Sequence, residues 1–138
     1  MKRWAAAAIV LAATSLAACA PPRPLTFEEE AARQPIPETV RGFVALCRPL
    51  TLDDAQLTRQ QRIDRYNCSE VMRGAAAAQA EWLKDNRPTP DDFCIPPHVT
   101  AREWARAFLD WAARNPGKLD SRDGPFTDAW RDAYPCSS

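Results

Sequence analysis

The stretch Thr100-Ala101-Arg102-Glu103-Trp104-Ala105-Arg106-Ala107-Phe108-Leu109-Asp110-Trp111-Ala112-Ala113-Arg114, closed by Asn115-Pro116-Gly117, decides the fold of this 138-residue chain. Thr100 followed three residues later by Glu103 is the signature of a capping box, in which each side chain satisfies an orphan backbone donor at a helix start. Trp104, Ala107, Phe108, Trp111 and Ala112 then fall on one helical face. Glu103, Arg106, Asp110 and Arg114 line the opposite one, with Arg106–Asp110 and Asp110–Arg114 spaced to interact at i, i+4. A second, short helix fits Gly124 to Tyr134, with Pro125 in its first turn and Phe126, Ala129, Trp130 and Ala133 on one side. Cys94 precedes this helical pair and Cys136 follows it, and six aromatic residues lie between them. Two cysteines bracketing such a unit read as a covalent staple around an aromatic core.

Upstream, the same periodicity gives two more helices. From about Glu38 to Arg48, Val40, Phe43, Val44 and Cys47 share a face, and Pro49 ends the segment. Thr58 with Gln61 forms another capping box and opens the longest helix. Ile63, Cys68, Val71, Met72, Ala75, Ala78 and Trp82 keep a helical spacing along it, and Arg87-Pro88 closes it near Asn86. Within it, Gly74-Ala75-Ala76-Ala77-Ala78 has almost no side-chain bulk, which suits either close approach of a partner helix or simple helix propensity. No segment reads as a strand. The expected fold is all-α, a small bundle of about four helices with two disulfides.

The N-terminus sets the compartment. Lys2 and Arg3 form a positive start, an apolar run follows from Trp4 to Ala13, and Leu16-Ala17-Ala18-Cys19 comes next. This is an export signal, too short to span as a stable membrane helix. Leu-Ala-Ala-Cys resembles the lipobox of bacterial lipoproteins, which implies that Cys19 is lipidated and becomes the mature N-terminus; the alternative is cleavage after Ala18-Cys19-Ala20 with no lipid. Ala20, in the place of an aspartate, implies the outer membrane. Pro21-Pro22-Arg23-Pro24 reads as a stiff tether, and a helix starting at Glu28 is stopped by Pro35 and Pro37. The expected organisation is a lipoprotein signal over 1–18, a lipidated Pro-rich linker over 19–36 and a helical domain over 37–138.

Without Lys2 and Arg3, 16 of the 18 basic residues remain against 18 acidic ones. Such a balance gives no reason to expect nucleic-acid binding, and membrane contact is expected through the lipid anchor only. With Cys19 assigned to lipid, Cys47, Cys68, Cys94 and Cys136 form an even set in a small exported domain, which reads as two disulfides. Metal binding is the weaker reading, because there is no CxxC pair and His98 is the only histidine. Three connectivities are open. In antiparallel helical hairpins Cys47 meets Cys68 across a shared face, and Cys94 and Cys136 come to one end, so 47–68 with 94–136 is favoured.

Catalytic chemistry has little to stand on. A cysteine nucleophile needs a free thiolate and a base, yet the cysteines are best paired with one another, and His98 sits beside two prolines as a surface residue. The pairs Asp53-Asp54, Asp91-Asp92 and Asp120-Asp123 lie in loops or before helices, where aspartate serves as cap and turn former. The tryptophan stripe reads as core before it reads as a ligand pocket, though part of it is suited to a partner contact. No catalytic site, metal or cofactor is expected.

Phe93-Cys94-Ile95-Pro96, Val99-Thr100, the amphipathic helix to Asn115-Pro116, the short helix with Ala129, and Tyr134-Pro135-Cys136 together resemble the Rap/Tai family of immunity proteins against type VI secretion amidase effectors. Leu46-Cys47 and Cys68 with Gly74 fit its first half, so the resemblance runs from about Val40 to Cys136. Val71 replaces the family's usual aromatic, Tyr134 its phenylalanine, and Arg122-Asp123-Gly124-Pro125 is more broken than usual. The resemblance implies a periplasm-facing, non-enzymatic binding protein that neutralises a peptidoglycan amidase by occlusion, with a cell-wall amidase effector as partner and a homodimer as its own state. The polar loop from Asn115 to Asp123 is the expected contact surface, with Asn115, Gly117, Lys118 and Asp120 as its residues. The expected location is the outer membrane facing the periplasm, or the soluble periplasm if Cys19 is unlipidated. The alternative function is an envelope lipoprotein with a structural or chaperone role and no toxin partner.

Overall fold

Three threonines set the helix starts. Thr26, Thr58 and Thr100 each accept a hydrogen bond from the backbone N–H three residues on, while Glu29, Gln61 and Glu103 reach back to the threonine N–H. Each box satisfies donors that a helix start would otherwise leave bare. The computed structural model of the chain describes residues 23–136. It contains α1 (Phe27–Ala32), α2 (Val40–Cys47), α3 (Arg59–Asp85), α4 (Ala101–Arg114) and α5 (Thr127–Ala133), with 3-10 turns at Arg48–Thr51, Asp54–Gln56 and Pro116–Lys118. Among the described residues the only β-pairing is an isolated antiparallel bridge between Phe93 and Pro135. None of their helices is long and apolar enough to cross a membrane. The expected signal over 1–18, Cys19 and the start of the expected linker lie outside the described residues.

The all-α expectation and both disulfides are borne out. Cys47 bonds to Cys68, joining α2 to α3, and Cys94 bonds to Cys136, closing the unit made by α4 and α5. Beside the second bridge the Cys94 N–H donates to the Tyr134 carbonyl at 2.8 Å. Between the two hairpins lies an aromatic core. Phe126 meets Phe43 and Phe108 edge to face at 5.0 and 4.9 Å, and stacks on Trp130 at 5.2 Å. Trp130 in turn packs on Phe93 and Trp104. Such arrangements are worth about 0.5–1.5 kcal/mol per pair beyond the area they bury.

Part of the segment expected as a tether, residues 19–36, is instead a docked helix. Phe27 of α1 meets Tyr66 edge-on at 5.7 Å, and Ala31 is buried against α3. The Asn67 side chain, the one buried polar residue among those described, donates to the Ala31 carbonyl at 3.1 Å. Prolines at 35 and 37 separate α1 from α2 without releasing it. The polar run of glutamates faces solvent and hides the docking from a reading of hydrophobic period alone.

Three residues expected on buried faces are exposed. Ala78 and Trp82 lie on the C-terminal half of α3, and Ala133 on the last turn of α5. With 27 residues, α3 reaches about 40 Å at 1.5 Å per residue, whereas α2 has 8 residues and α4 has 14. Its end therefore outruns its neighbours, and Trp82 stays 42% exposed. A Cβ added at Gly74 would meet nothing within 4 Å, so no helix among the described residues approaches closely there. The alanine run serves here as helix former. The last helix begins at Thr127 and not at Gly124, which holds φ at +40° in the turn before it.

Gly42 is the position where absence of a side chain is required. A Cβ there would lie 2.5 Å from the Pro37 Cβ, a rigid ring with no rotamer to yield. Gly42→Ala is expected to destabilise the domain by about 1–3 kcal/mol in urea denaturation, and Pro37→Gly to recover most of that loss. An unchanged midpoint would show that the 35–39 segment moves away without cost.

Candidate partner-binding surface

The loop after α4 is held at both ends and bare in the middle. At its start, the Asn115 side chain donates to the Trp111 carbonyl at 2.8 Å, ending the helix and fixing the exit of the chain. Pro116–Lys118 then make one 3-10 turn. At its far end the loop is stitched to the start of α2. The Val40 N–H donates to the Ser121 carbonyl at 3.0 Å and the Arg41 N–H to the Leu119 carbonyl at 2.7 Å. The Arg41 guanidinium grips both Asp120 oxygens, at 3.0 and 3.3 Å, and Arg122 pairs with Glu38 at 3.1 Å.

This stitching follows from helix-end chemistry. The first N–H groups of α2 have no carbonyl within their own helix. Thr39 accepts from Gly42, and the loop carbonyls supply acceptors for the two donors before it. The loop thus completes the cap of a helix lying about 80 residues earlier in the chain.

Of the four residues expected to meet a partner, two have other work. Asn115 is half-buried in its cap, and Asp120 is exposed but engaged by Arg41. Gly117 and Lys118 form the exposed apex: a Cβ at Gly117 would meet nothing within 4 Å, and Lys118 makes no ion pair among the described residues. Sequence reasoning missed Arg41, Glu38 and Arg122. Nothing in the spacing of Arg41 and Asp120, 79 residues apart, signals their pairing. Beside the loop, Val44, Arg48, Leu109, Ala112, Pro116 and Leu119 line a groove of about 400 Å³. A larger apolar groove of 620 Å³ runs along Ala76, Ala77, Ala80 and Leu83 toward Phe93 and Trp104.

One carboxylate of each acidic pair has a local partner, Asp120 being held by Arg41. Asp54 pairs with Arg65, and Asp92 accepts from the Thr89 N–H and hydroxyl, both at 2.8 Å. His98 is exposed. No group of three or more metal-binding side chains occurs among the described residues. All four domain cysteines are in disulfides, which leaves no thiolate there.

Four carboxylates are held below their ordinary pKa. Backbone hydrogen bonds from Thr26, Thr89 and Thr100 are the main cause for Glu29, Asp92 and Glu103, and the hydrogen-bonded Arg41 guanidinium for Asp120. Each has a lower pKa folded than unfolded, so its stabilisation is present above the ordinary 4.5 of glutamate and 3.8 of aspartate. It is lost as pH falls through the native value. The melting temperature is expected to be level from about pH 8 to 5 and to drop below about pH 4. A level profile down to about pH 2 would contradict these pairings.

A family model described as Rap1a immunity proteins matches residues 39–136. The match opens on Thr39, the cap of α2, and ends on Cys136 of the second bridge, so α1 lies outside it. No curated protein and no solved structure matches the chain.

Proposed function

The chain belongs to the Rap1a immunity protein family, and we propose that the secreted effector it neutralises is a peptidoglycan amidase, met in the periplasm and blocked by occlusion. Immunity proteins of this family are inhibitors of effectors, not enzymes. The observation that carries the occlusion reading is the exposed apex Gly117-Lys118 held between two anchors, Asn115 on Trp111 and residues 119–122 on the start of α2. An inhibitor that enters a cleft gains affinity by having its loop ordered beforehand, since less freedom is lost on binding. Two disulfides suit an oxidising compartment, which is where peptidoglycan lies.

Lipidation of Cys19 and retention at the outer membrane complete the proposal, as does a homodimer, which the family resemblance supports. Pull-down from a periplasmic extract, followed by mass spectrometry, is expected to recover a cell-wall amidase. Deletion is expected to leave cells sensitive to their amidase-secreting sisters. Recovery of other envelope proteins only, with unchanged resistance, favours a structural or chaperone role. Cys19→Ser is expected to move the protein from the membrane fraction to the soluble periplasm; persistence in the membrane fraction overturns the anchor.

A further inference from the structure

Four consecutive points of contact join residues 38–41 to residues 119–122. Glu38 pairs with Arg122, Val40 N–H with the Ser121 carbonyl, Arg41 N–H with the Leu119 carbonyl, and the Arg41 guanidinium with Asp120. Arg41 alone engages the loop through both backbone and side chain, on two successive loop residues. Its planar fork matches the two carboxylate oxygens, which a lysine cannot do. On the other side of these anchors stand Gly117 and Lys118, in a 3-10 turn tied to the anchored segment by the Ser121 N–H, which donates to the Lys118 carbonyl at 3.0 Å, and a Cβ at Gly117 would meet nothing within 4 Å. The shape of the apex therefore depends on where residues 119–121 are held.

We propose that Arg41 is the positioning residue of the partner-binding loop, fixing its apex through Asp120 and the Leu119 carbonyl without itself meeting the partner. This rests on the reading that the loop meets the effector. Three consequences separate it from a general contribution to stability. First, the Val40 and Arg41 amide protons are covered by the loop carbonyls, so their exchange reports loop detachment directly. Second, exchanging the charges of the pair restores the hold if Arg41 acts through Asp120, and does not if Arg41 touches the partner. Third, Arg41→Lys keeps the charge but loses the fork.

The test uses the purified mature protein and, as probe, the cell-wall amidase recovered by the pull-down from the periplasmic extract. In Arg41→Ala, amide exchange at Val40 and Arg41 is expected to quicken at least about tenfold, with the circular dichroism of the helices unchanged. Affinity for the amidase is expected to fall about tenfold, with Arg41→Lys intermediate. Arg41→Glu combined with Asp120→Arg is expected to recover both readouts. Lys118→Glu serves as the apex control. If Lys118→Glu weakens binding and Arg41→Ala does not, the positioning role is overturned while the loop remains the contact. If Arg41→Ala weakens binding and the exchanged pair does not restore it, Arg41 is a contact residue and the positioning role is again overturned. If Lys118→Glu binds as the unaltered protein does, the loop-contact reading itself fails, and the positioning role falls with it.

Discussion

Reduction of both disulfides is expected to leave the domain unfolded at 37 °C. The bridges close segments of 21 and 42 residues, and removing that constraint from the unfolded chain costs about 3.3 and 3.9 kcal/mol in the loop-entropy treatment. The two segments do not overlap, so their contributions add. Together they approach the whole stability of a typical small domain, about 5–15 kcal/mol. The bridges differ in access. Cys47 and Cys68 are fully buried, whereas Cys94 and Cys136 are half-buried near the chain end. A mild reductant is therefore expected to open Cys94–Cys136 first, freeing the end of α5 while α2 and α3 stay joined. Alkylation and mass spectrometry give the order, and circular dichroism at 222 nm gives the loss of helix. Native helix content in the fully reduced protein would show that the aromatic core suffices alone.

Trp130→Ala is expected to be the most damaging single substitution in the core, at about 3–5 kcal/mol. Trp130 is fully buried and touches Phe93, Trp104 and Phe126, so its removal unroofs three aromatic contacts at once. The same residue carries a cost: its indole N–H has no hydrogen-bond partner among the described residues, and burying such a donor forfeits about 1–3 kcal/mol. Trp130→Phe keeps most of the ring contact and removes the orphan donor, so it is expected to lose far less than the alanine variant. Urea denaturation of the two variants checks the difference. Equal losses would place the stabilisation in the indole's second ring.

Much of the fold was legible because its signals are local. Thr58 with Gln61 and Thr100 with Glu103 start helices by satisfying donors within three residues, and a reader of sequence sees both partners together. The disulfide pairing followed from placing Cys47 and Cys68 on facing helices. The same capping pattern stands at Thr26 and Glu29, but the surrounding prolines and glutamates drew attention to a tether, and the docking depends on Asn67, a polar residue inside an otherwise apolar face. The exposed end of α3 was hidden for another reason: periodicity shows which face a helix would bury, and not how far its neighbours extend. Trp82 keeps the period and stays exposed.

The candidate surface was legible only in outline. Asn115-Pro116-Gly117 marks a loop by composition, and the loop is there with Gly117 and Lys118 at its exposed apex. What holds it is a tertiary event. Arg41 and Asp120 lie 79 residues apart, and only the packing of α2 against α4 brings a helix start to the loop that completes its cap.

Occlusion of a peptidoglycan amidase is tested most directly by titrating the purified mature protein into that enzyme while following the release of peptides from peptidoglycan. Hydrolysis is expected to fall linearly and to stop at an equimolar ratio, with Lys118→Glu needing a clear excess to reach the same point. Undiminished hydrolysis at a large molar excess of the folded, disulfide-bonded protein would contradict the mechanism.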